Sequence, residues 1–416
     1  MKKTVKTTLW FLWIVLMLFG IWGVIMRFTT GHEMANYGSY VPWGLWVSGY
    51  IYFIGLSAGA FLLSCLIYVF GIKKLKPIGR IALFAAAITL PMALLSIAFD
   101  LGHMFRAYEV FTRPDFSSMM AWMIWLYTAY FLLILAELWV EMRCDLSQMA
   151  ERKGPGGVLF RVLSLGWKCP SKADELEACH NKSVSTLRIL GLIGVPLAIA
   201  FHGGVGALFG TLSAKSLWYS GLFPILFLTG ALVSGGALIL AIVGMIGNFP
   251  EEKRKEITLM LGRIVLGLLV FDLLLEFAEL SIPMWYGIGP EFEALHTMLF
   301  GEYWWNFWIL HILLGSAIPA LLLVFKPKSR AATFTAGSLI AVTFIAVRLN
   351  LVVPAQVLEP AFGNLAQAYS DSRLMFSYVP SMFEWAVMAF VVALGIGGFL
   401  FIKKYLPLIK SDVKSV

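Results

Sequence analysis

Between Leu95 and Arg113 the chain reads LSIAFDLGHMFRAYEVFTR, an apolar segment that closes on Asp100, His103 and Arg106. Asp and His can exchange protons, and Arg supplies a fixed charge. A charge beside hydrocarbon is expensive, so three of them in two helical turns must be paired or functional. Asp100 and His103, three apart, are expected on one helical face with Arg106 just beyond it. A plain Asp100–Arg106 ion pair is the duller alternative. His202 stands in IAFHGGVGALFG, where the glycines permit close approach by backbone or ligand; otherwise it is a satisfied core histidine. Trp43, in PWGLW, opens the second apolar run and reads as a ligand contact or as an interfacial anchor.

A second set lies further along. Asp272, Glu276 and Glu279 recur at i, i+4 and i+7, one stripe of a helix. Three carboxylates side by side in low dielectric cannot all stay ionised. Arg348 is the obvious counter-charge, and His311 and Glu384 can join. Glu137 and Glu141, four apart, end another apolar run. Such a chain has the chemistry of a proton relay. The alternative is a polar network that only holds helices together, and Glu141 can equally be a solvated interfacial residue.

The elements that must position these residues follow from composition. The 416 residues are 60% hydrophobic and 13% charged, with a mean hydropathy of +0.83. Apolar runs recur at about the 20 residues that cross the ~30 Å hydrocarbon layer as helix. Ten spans are expected, near 8–28, 44–70, 81–103, 118–141, 187–210, 218–247, 259–280, 303–325, 332–353 and 381–402. The first follows Lys2, Lys3 and Lys6 without a small-residue cleavage site, so it reads as an uncleaved helix. The net charge of +8 does not signal nucleic acid, because Lys and Arg fall in the gaps between spans. Of 32 Lys and Arg, all but Arg27, Arg106, Arg113, Lys215, Arg348 and Arg373 fall on the side of the N-terminus. By the positive-inside rule both termini are cytoplasmic. Three of the four cysteines, Cys144, Cys169 and Cys179, lie in the loop 142–186. They match no zinc or iron–sulfur spacing, so no metal site is expected, and on that side they are expected to be reduced thiols.

SAGAFLLSCLIYVFG (57–71) resembles SGGALILAIVGMIG (234–247). The expected fold is all-α: a ten-helix polytopic membrane protein with two four-helix bundles in parallel repeat, 44–210 and 218–353, plus one flanking helix at each end. Small residues on packing faces would give the same likeness without a repeat.

The order of motifs along the ten spans resembles the polysulfide reductase NrfD-like integral membrane subunits, in the ten-span branch that includes the hydrogenase-2 membrane subunit. The likeness rests on PWGLW (42–46), the Asp100 helix, Glu137 in AELW, HGGVGAL at His202, Glu279, Arg348 with Asn350, and Tyr378, Pro380 and Glu384 in YVPSMFE. It departs at His103, where hydrogenase-type sequences carry arginine. The resemblance implies a quinone-reactive subunit of a respiratory redox complex in a bacterial or archaeal cytoplasmic membrane, using menaquinone or another quinone and having no redox centre of its own. It also implies a periplasmic, ferredoxin-like iron–sulfur partner, further subunits such as a catalytic subunit or a multihaem cytochrome c, and a quinone site near the outer face of the first bundle. Asp100, His103, Arg106, His202 and Trp43 are its candidates. The acidic segment 281–302, free of Lys and Arg, is a candidate docking surface. Alternatives are a haem-b carrier, with His202 and His311 or His103 as axial ligands, and a secondary transporter with helices broken at Pro91 and Pro196.

Overall fold

A computed structural model describes residues 3–151, 155–170, 172–245, 249–358 and 374–408. Lys2, Arg152, Lys153, Arg373, Lys410 and Lys414, which contribute to the orientation, lie outside the described residues, as does Gly154 of the GPGG turn. Ten helices are long and apolar enough to cross a membrane, and no strand occurs among the described residues. Helix is the form expected where no water is available to the backbone, because every N–H and C=O is bonded within the segment.

We number the helices α1 (Lys3–Thr29), α2 (Leu45–Tyr68), α3 (Gly79–Asp100), α4 (Met119–Ala150), α5 (Ala173–Gly210), α6 (Phe223–Met245), α7 (Glu251–Tyr286), α8 (Asn306–Phe325), α9 (Arg330–Val352) and α10 (Met382–Tyr405). Several outrun their hydropathic spans: α4 continues to Ala150, α5 starts at Ala173, and α7 runs from Glu251 to Tyr286. Hydropathy marks where hydrocarbon ends, whereas helix persists through good helix formers such as the ADELEA that opens α5. The expected loop 142–186 is therefore largely helical, with a further short helix at Pro155–Leu163.

The centre of the molecule is the crossing of α2 and α6, and it is made by the two segments that resemble one another. A Cβ on Gly235 would stand 2.5 Å from the Ala60 nitrogen and 2.6 Å from Gly59 Cα, so the backbones touch. Small residues permit that approach. Gly235→Leu is expected to overpack this crossing, at a cost of about 1–3 kcal/mol. Gly267→Leu, whose Cβ meets nothing within 4 Å, is the matched control. Unfolding temperatures in detergent check the pair: Gly235→Leu falls and Gly267→Leu does not.

The flanking helices α1 and α10 pack on each other. A Cβ on Gly20 would lie 2.5 Å from Phe390 Cα, and Trp13 Nε1 donates to the Ala393 carbonyl at 2.9 Å. Only 11% of the α1 apolar window is buried, so its other faces are left to lipid.

At the end of the bundle that carries the termini, Arg80 is 3% exposed. It donates to Glu141 Oε1 (3.0 Å), the Glu141 carbonyl (3.1 Å), Asp145 Oδ2 (2.6 Å) and the Pro407 carbonyl (3.2 Å). Glu141 is thus an ion-pair partner joining α3 to α4 and not a solvated interfacial residue. Cys144 and Cys169 form a disulfide, which corrects the expectation of reduced thiols. Ser147 Oγ accepts from the Cys169 N–H at 3.0 Å and holds the connection against α4, leaving the two Cα atoms 4.9 Å apart, within bonding range. Cys179 Sγ lies 4.0 Å from Cys144 Sγ.

Candidate functional site

At the opposite end of the bundle, α3 stops at Asp100. Leu101 turns extended (φ −62°, ψ 128°) and Gly102 follows. His103 therefore does not share a helical face with Asp100: it precedes a separate turn, Met104–Arg106, and both His103 and Arg106 are exposed. Arg106 makes no ion pair with Asp100. The cation beside Asp100 is Arg27 of α1, 6% exposed, whose Nε donates to the Phe99 carbonyl and Nη2 to the Leu101 carbonyl, both at 2.7 Å. It thereby caps carbonyls that the end of α3 leaves without helical partners. Arg27, His103 and Arg106 line one open cleft of about 280 Å³ with Phe28, Met104 and Phe105.

Behind this cleft, Tyr37, Asp100 and Glu384 lie within electrostatic reach of one another. Asp100 Oδ1 and the Tyr37 hydroxyl are buried and lie within hydrogen-bonding reach of one another. Burial, with Asp100 and Glu384 close by, pushes the Tyr37 phenol far above its ordinary value, so it remains an O–H donor. The His32 ring packs 5.5 Å from Tyr37 and 5.9 Å from Trp46.

Glu384 belongs to this end and not to the Asp272 stripe it was expected to join. It is 0% exposed; Oε2 accepts from the Tyr378 hydroxyl, and Oε1 accepts from the N–H of Asn36 (2.9 Å) and of Ser381 (3.2 Å). With Ser381 it forms the capping box of α10, so the YVPSMFE motif stitches the segment before α2 to the start of α10. Tyr303 donates to the Tyr378 carbonyl at 2.8 Å, and burial pushes its phenol up to about 12. Its folded value lies above the unfolded value of about 10. The bond's contribution is therefore complete below pH 10 and is lost as pH rises through 12. The unfolding temperature in detergent is expected to fall between pH 10 and 12, and Tyr303→Phe is expected to make that fall smaller.

Trp43 does not face the cleft. Its ring stacks on Trp218 at 5.4 Å and meets Phe209 edge-on at 5.4 Å, while its N–H and carbonyl bond the Gln356 side chain.

His202 is likewise separated from Asp100 in its contacts. It is fully buried on α5, its Nε2 2.7 Å from the Phe227 carbonyl, and its electrostatic neighbour is Arg348. Arg348, 2% exposed, lies over the rings of Phe227 (4.9 Å) and Phe344 (5.0 Å). Around it the structure gathers the expected second set. Asp272 accepts from Thr229 Oγ1, and His311 Nε2 lies 3.2 Å from Glu276 Oε2. Glu279 lines the same cleft. Nothing in the spacing of residues points to Asn306, whose Nδ2 donates to Asn350 Oδ1 at 2.6 Å. His311 rides on a π-wound stretch, Asn306–Ala317, in which Ser316 Oγ donates to the His311 carbonyl at 3.0 Å. Such windings recur at functional sites.

Glu137 stands apart, 1% exposed, its Oε1 without a hydrogen-bond partner. Arg27 and Tyr37, absent from the candidates drawn from sequence, are the principal additions to the Asp100 site. Arg27 stands out in the sequence only as one of six cations away from the termini side.

Ten apolar helices enclosing two buried polar clusters define a multi-pass integral membrane protein. The family model described as polysulphide reductase, NrfD, matches residues 32–360. The chain belongs to this family. It is 39% identical over 387 residues to a selenate reductase subunit of Mesobacillus selenatarsenatis, covering 93% of this chain and 89% of that protein. It is 29% identical to the Hdr-like menaquinol oxidoreductase integral membrane subunit of Archaeoglobus fulgidus, covering 87% and 84%. It is 23% identical to the menaquinone reductase integral membrane subunit of Nitratidesulfovibrio vulgaris, covering 96% and 91%.

Proposed function

We propose that this chain is the quinone-reactive membrane subunit of a respiratory redox complex, exchanging electrons between menaquinone or menaquinol and a periplasmic iron–sulfur partner. The observation that carries it is the Asp100 carboxyl, withdrawn from water with the Tyr37 hydroxyl within hydrogen-bonding reach, behind the cleft lined by Arg27, His103 and Arg106. These residues fit a quinone, which needs donors for its oxygens, a group that exchanges protons and a cation that balances developing charge. A bound quinone supplies two-electron, two-proton chemistry. In this reading Asp100 exchanges the proton, Tyr37 donates a hydrogen bond, and Arg27 and Arg106 hold the negative charge. Two relatives named for menaquinol or menaquinone support the choice of quinone.

The second cluster, with Asp272, Glu276, Glu279, His311, Arg348 and His202, passes protons, and Glu137 extends the path toward the termini side. The bias of Lys and Arg toward that side supports cytoplasmic termini in an inner membrane. The iron–sulfur partner then docks at the opposite end, where the helix Gly289–Leu299 carries Glu291 and Glu293 beside exposed Trp285 and Tyr286. Copurification from membranes tests the reading. The complex should contain an iron–sulfur subunit whose clusters are reduced by added menaquinol or oxidised by menaquinone. A complex without such a subunit sinks it.

A further inference from the structure

Three of the four cysteines converge where α4, α5 and the segment between them meet. Cys144 lies on α4, Cys169 on the connection and Cys179 in the second turn of α5. The Cys144–Cys169 disulfide ties the connection to α4, while Cys179 keeps a free thiol whose Sγ lies 4.0 Å from Cys144 Sγ. Neighbouring groups hold this approach. Arg143 Nη2 donates to Ser183 Oγ at 2.8 Å, and Ser183 Oγ donates to the Cys179 carbonyl at 2.9 Å, so the residue beside Cys144 fixes the turn of α5 that carries Cys179. Cys169 is held from the other side, through its N–H to Ser147 Oγ at 3.0 Å. Cys144 is therefore a shared sulfur, bonded to one cysteine and in contact with the other.

Chemistry and access agree. Disulfides open and re-form when a thiolate attacks one of their sulfurs, and the reaction depends on a thiol being at hand and on access. All three cysteines are part-exposed, whereas Cys65, on α2, is 2% exposed. Closing 4.0 Å to the ~2.05 Å of a disulfide asks about 2 Å of sulfur movement, the scale of a side-chain rotation. The cluster lies on the side to which the Lys and Arg bias assigns the cytoplasm, where disulfides are characteristically transient, catalytic or redox-sensing. A part-exposed disulfide with a third thiol against it has the makeup of that class and not of a permanent staple.

We propose that Cys144, Cys169 and Cys179 form a thiol–disulfide exchange site that reacts with soluble disulfides. The Cys179 thiol gives its proton to water, and its thiolate attacks Cys144 Sγ. The Cys144–Cys179 bond forms, the Cys144–Cys169 bond breaks, and Cys169 leaves as a thiolate, with no net gain or loss of electrons by the chain. The Cys169 thiolate then attacks a soluble disulfide, forming a mixed disulfide on Cys169 and releasing one soluble thiolate. The covalent tie thereby moves from between α4 and the connection to between α4 and α5. The site uses no residue of the quinone reading and stands or falls separately from it.

The test is a disulfide map of the intact complex in detergent. The complex is incubated with oxidised glutathione, quenched in acid, alkylated with N-ethylmaleimide, digested without reduction and read by peptide mass spectrometry. Two cross-links are expected in the unaltered chain, Cys144–Cys169 and Cys144–Cys179, together with glutathione on Cys169. Cys179→Ser is expected to retain the first link alone and to lose the glutathione adduct on Cys169, because no neighbouring thiol remains to open the disulfide. Cys169→Ser is expected to form the Cys144–Cys179 link quantitatively. A map of the unaltered chain with only Cys144–Cys169 linked and Cys179 fully alkylated overturns the proposal, as do three alkylated thiols. Glutathione on Cys169 that persists in Cys179→Ser also overturns it. If neither variant assembles, the map of the unaltered chain decides by whether the Cys144–Cys179 link is present.

Discussion

Asp100→Asn is expected to lower quinone-linked electron transfer by about 10²–10⁴-fold, the range over which a positioned acid or base acts. The substitution keeps the size and polarity of the side chain but removes its capacity to exchange a proton. Asp100 ends α3, and Arg27 caps that terminus through the Phe99 and Leu101 carbonyls without needing the carboxylate. The variant should therefore assemble at normal levels, and the loss should appear in turnover. Tyr37→Phe, which removes a donor but no proton-exchanging group, should have a smaller effect. Menaquinol-dependent rates in membranes, normalised to the amount of protein, decide the matter; an Asp100→Asn rate equal to that of the unaltered protein would end the assignment.

Arg348→Ala has the second large expected effect, on stability. Arg348 is 2% exposed and faces Asp272 and Glu276, also withdrawn from water. Removing one partner from a buried charge cluster leaves the other uncompensated, at about 3–5 kcal/mol. It also deletes a side chain that fills the space between Phe227 and Phe344. Combining it with Asp272→Asn and Glu276→Gln removes the orphaned charge and should recover part of the loss. Unfolding temperatures in detergent give the comparison, and an Arg348→Ala protein as stable as the parent contradicts this account of the cluster.

The ten spans are legible in the sequence because hydrocarbon imposes one rule on every segment, a long apolar helix. The stripe Asp272–Glu276–Glu279 and its counter-charge Arg348 are legible for a related reason: ionisable residues stand out against an apolar background and need partners. Partnering across distant segments is not legible. Nearness in sequence pairs Asp100 with His103 and Arg106, whereas its neighbours are Arg27 and Tyr37, brought in by α1 and the segment after it. Span order alone puts Glu384 in the wrong cluster, because it says nothing of where α10 begins relative to α9. The end of α3 is hidden because LGH after Asp100 retains enough apolar character to read as continuing helix. Pairing of Cys144 with Cys169 depends on a loop held by Ser147, which spacing alone does not reveal.

The length of α5 has a consequence for charge. Thirty-eight residues make about 57 Å of helix, against a hydrocarbon layer of about 30 Å. The surplus stands as a mast beyond the lipid, braced by α4 and the Cys144–Cys169 link. Its tip, with Lys172 and the first-turn acids Asp174 and Glu175, stands further from the acyl layer than the ~8 Å over which physiological salt leaves a charge visible. Those charges are screened from anionic head groups and meet water and soluble molecules instead, while Arg80 and Glu141 neutralise one another at the mast's foot.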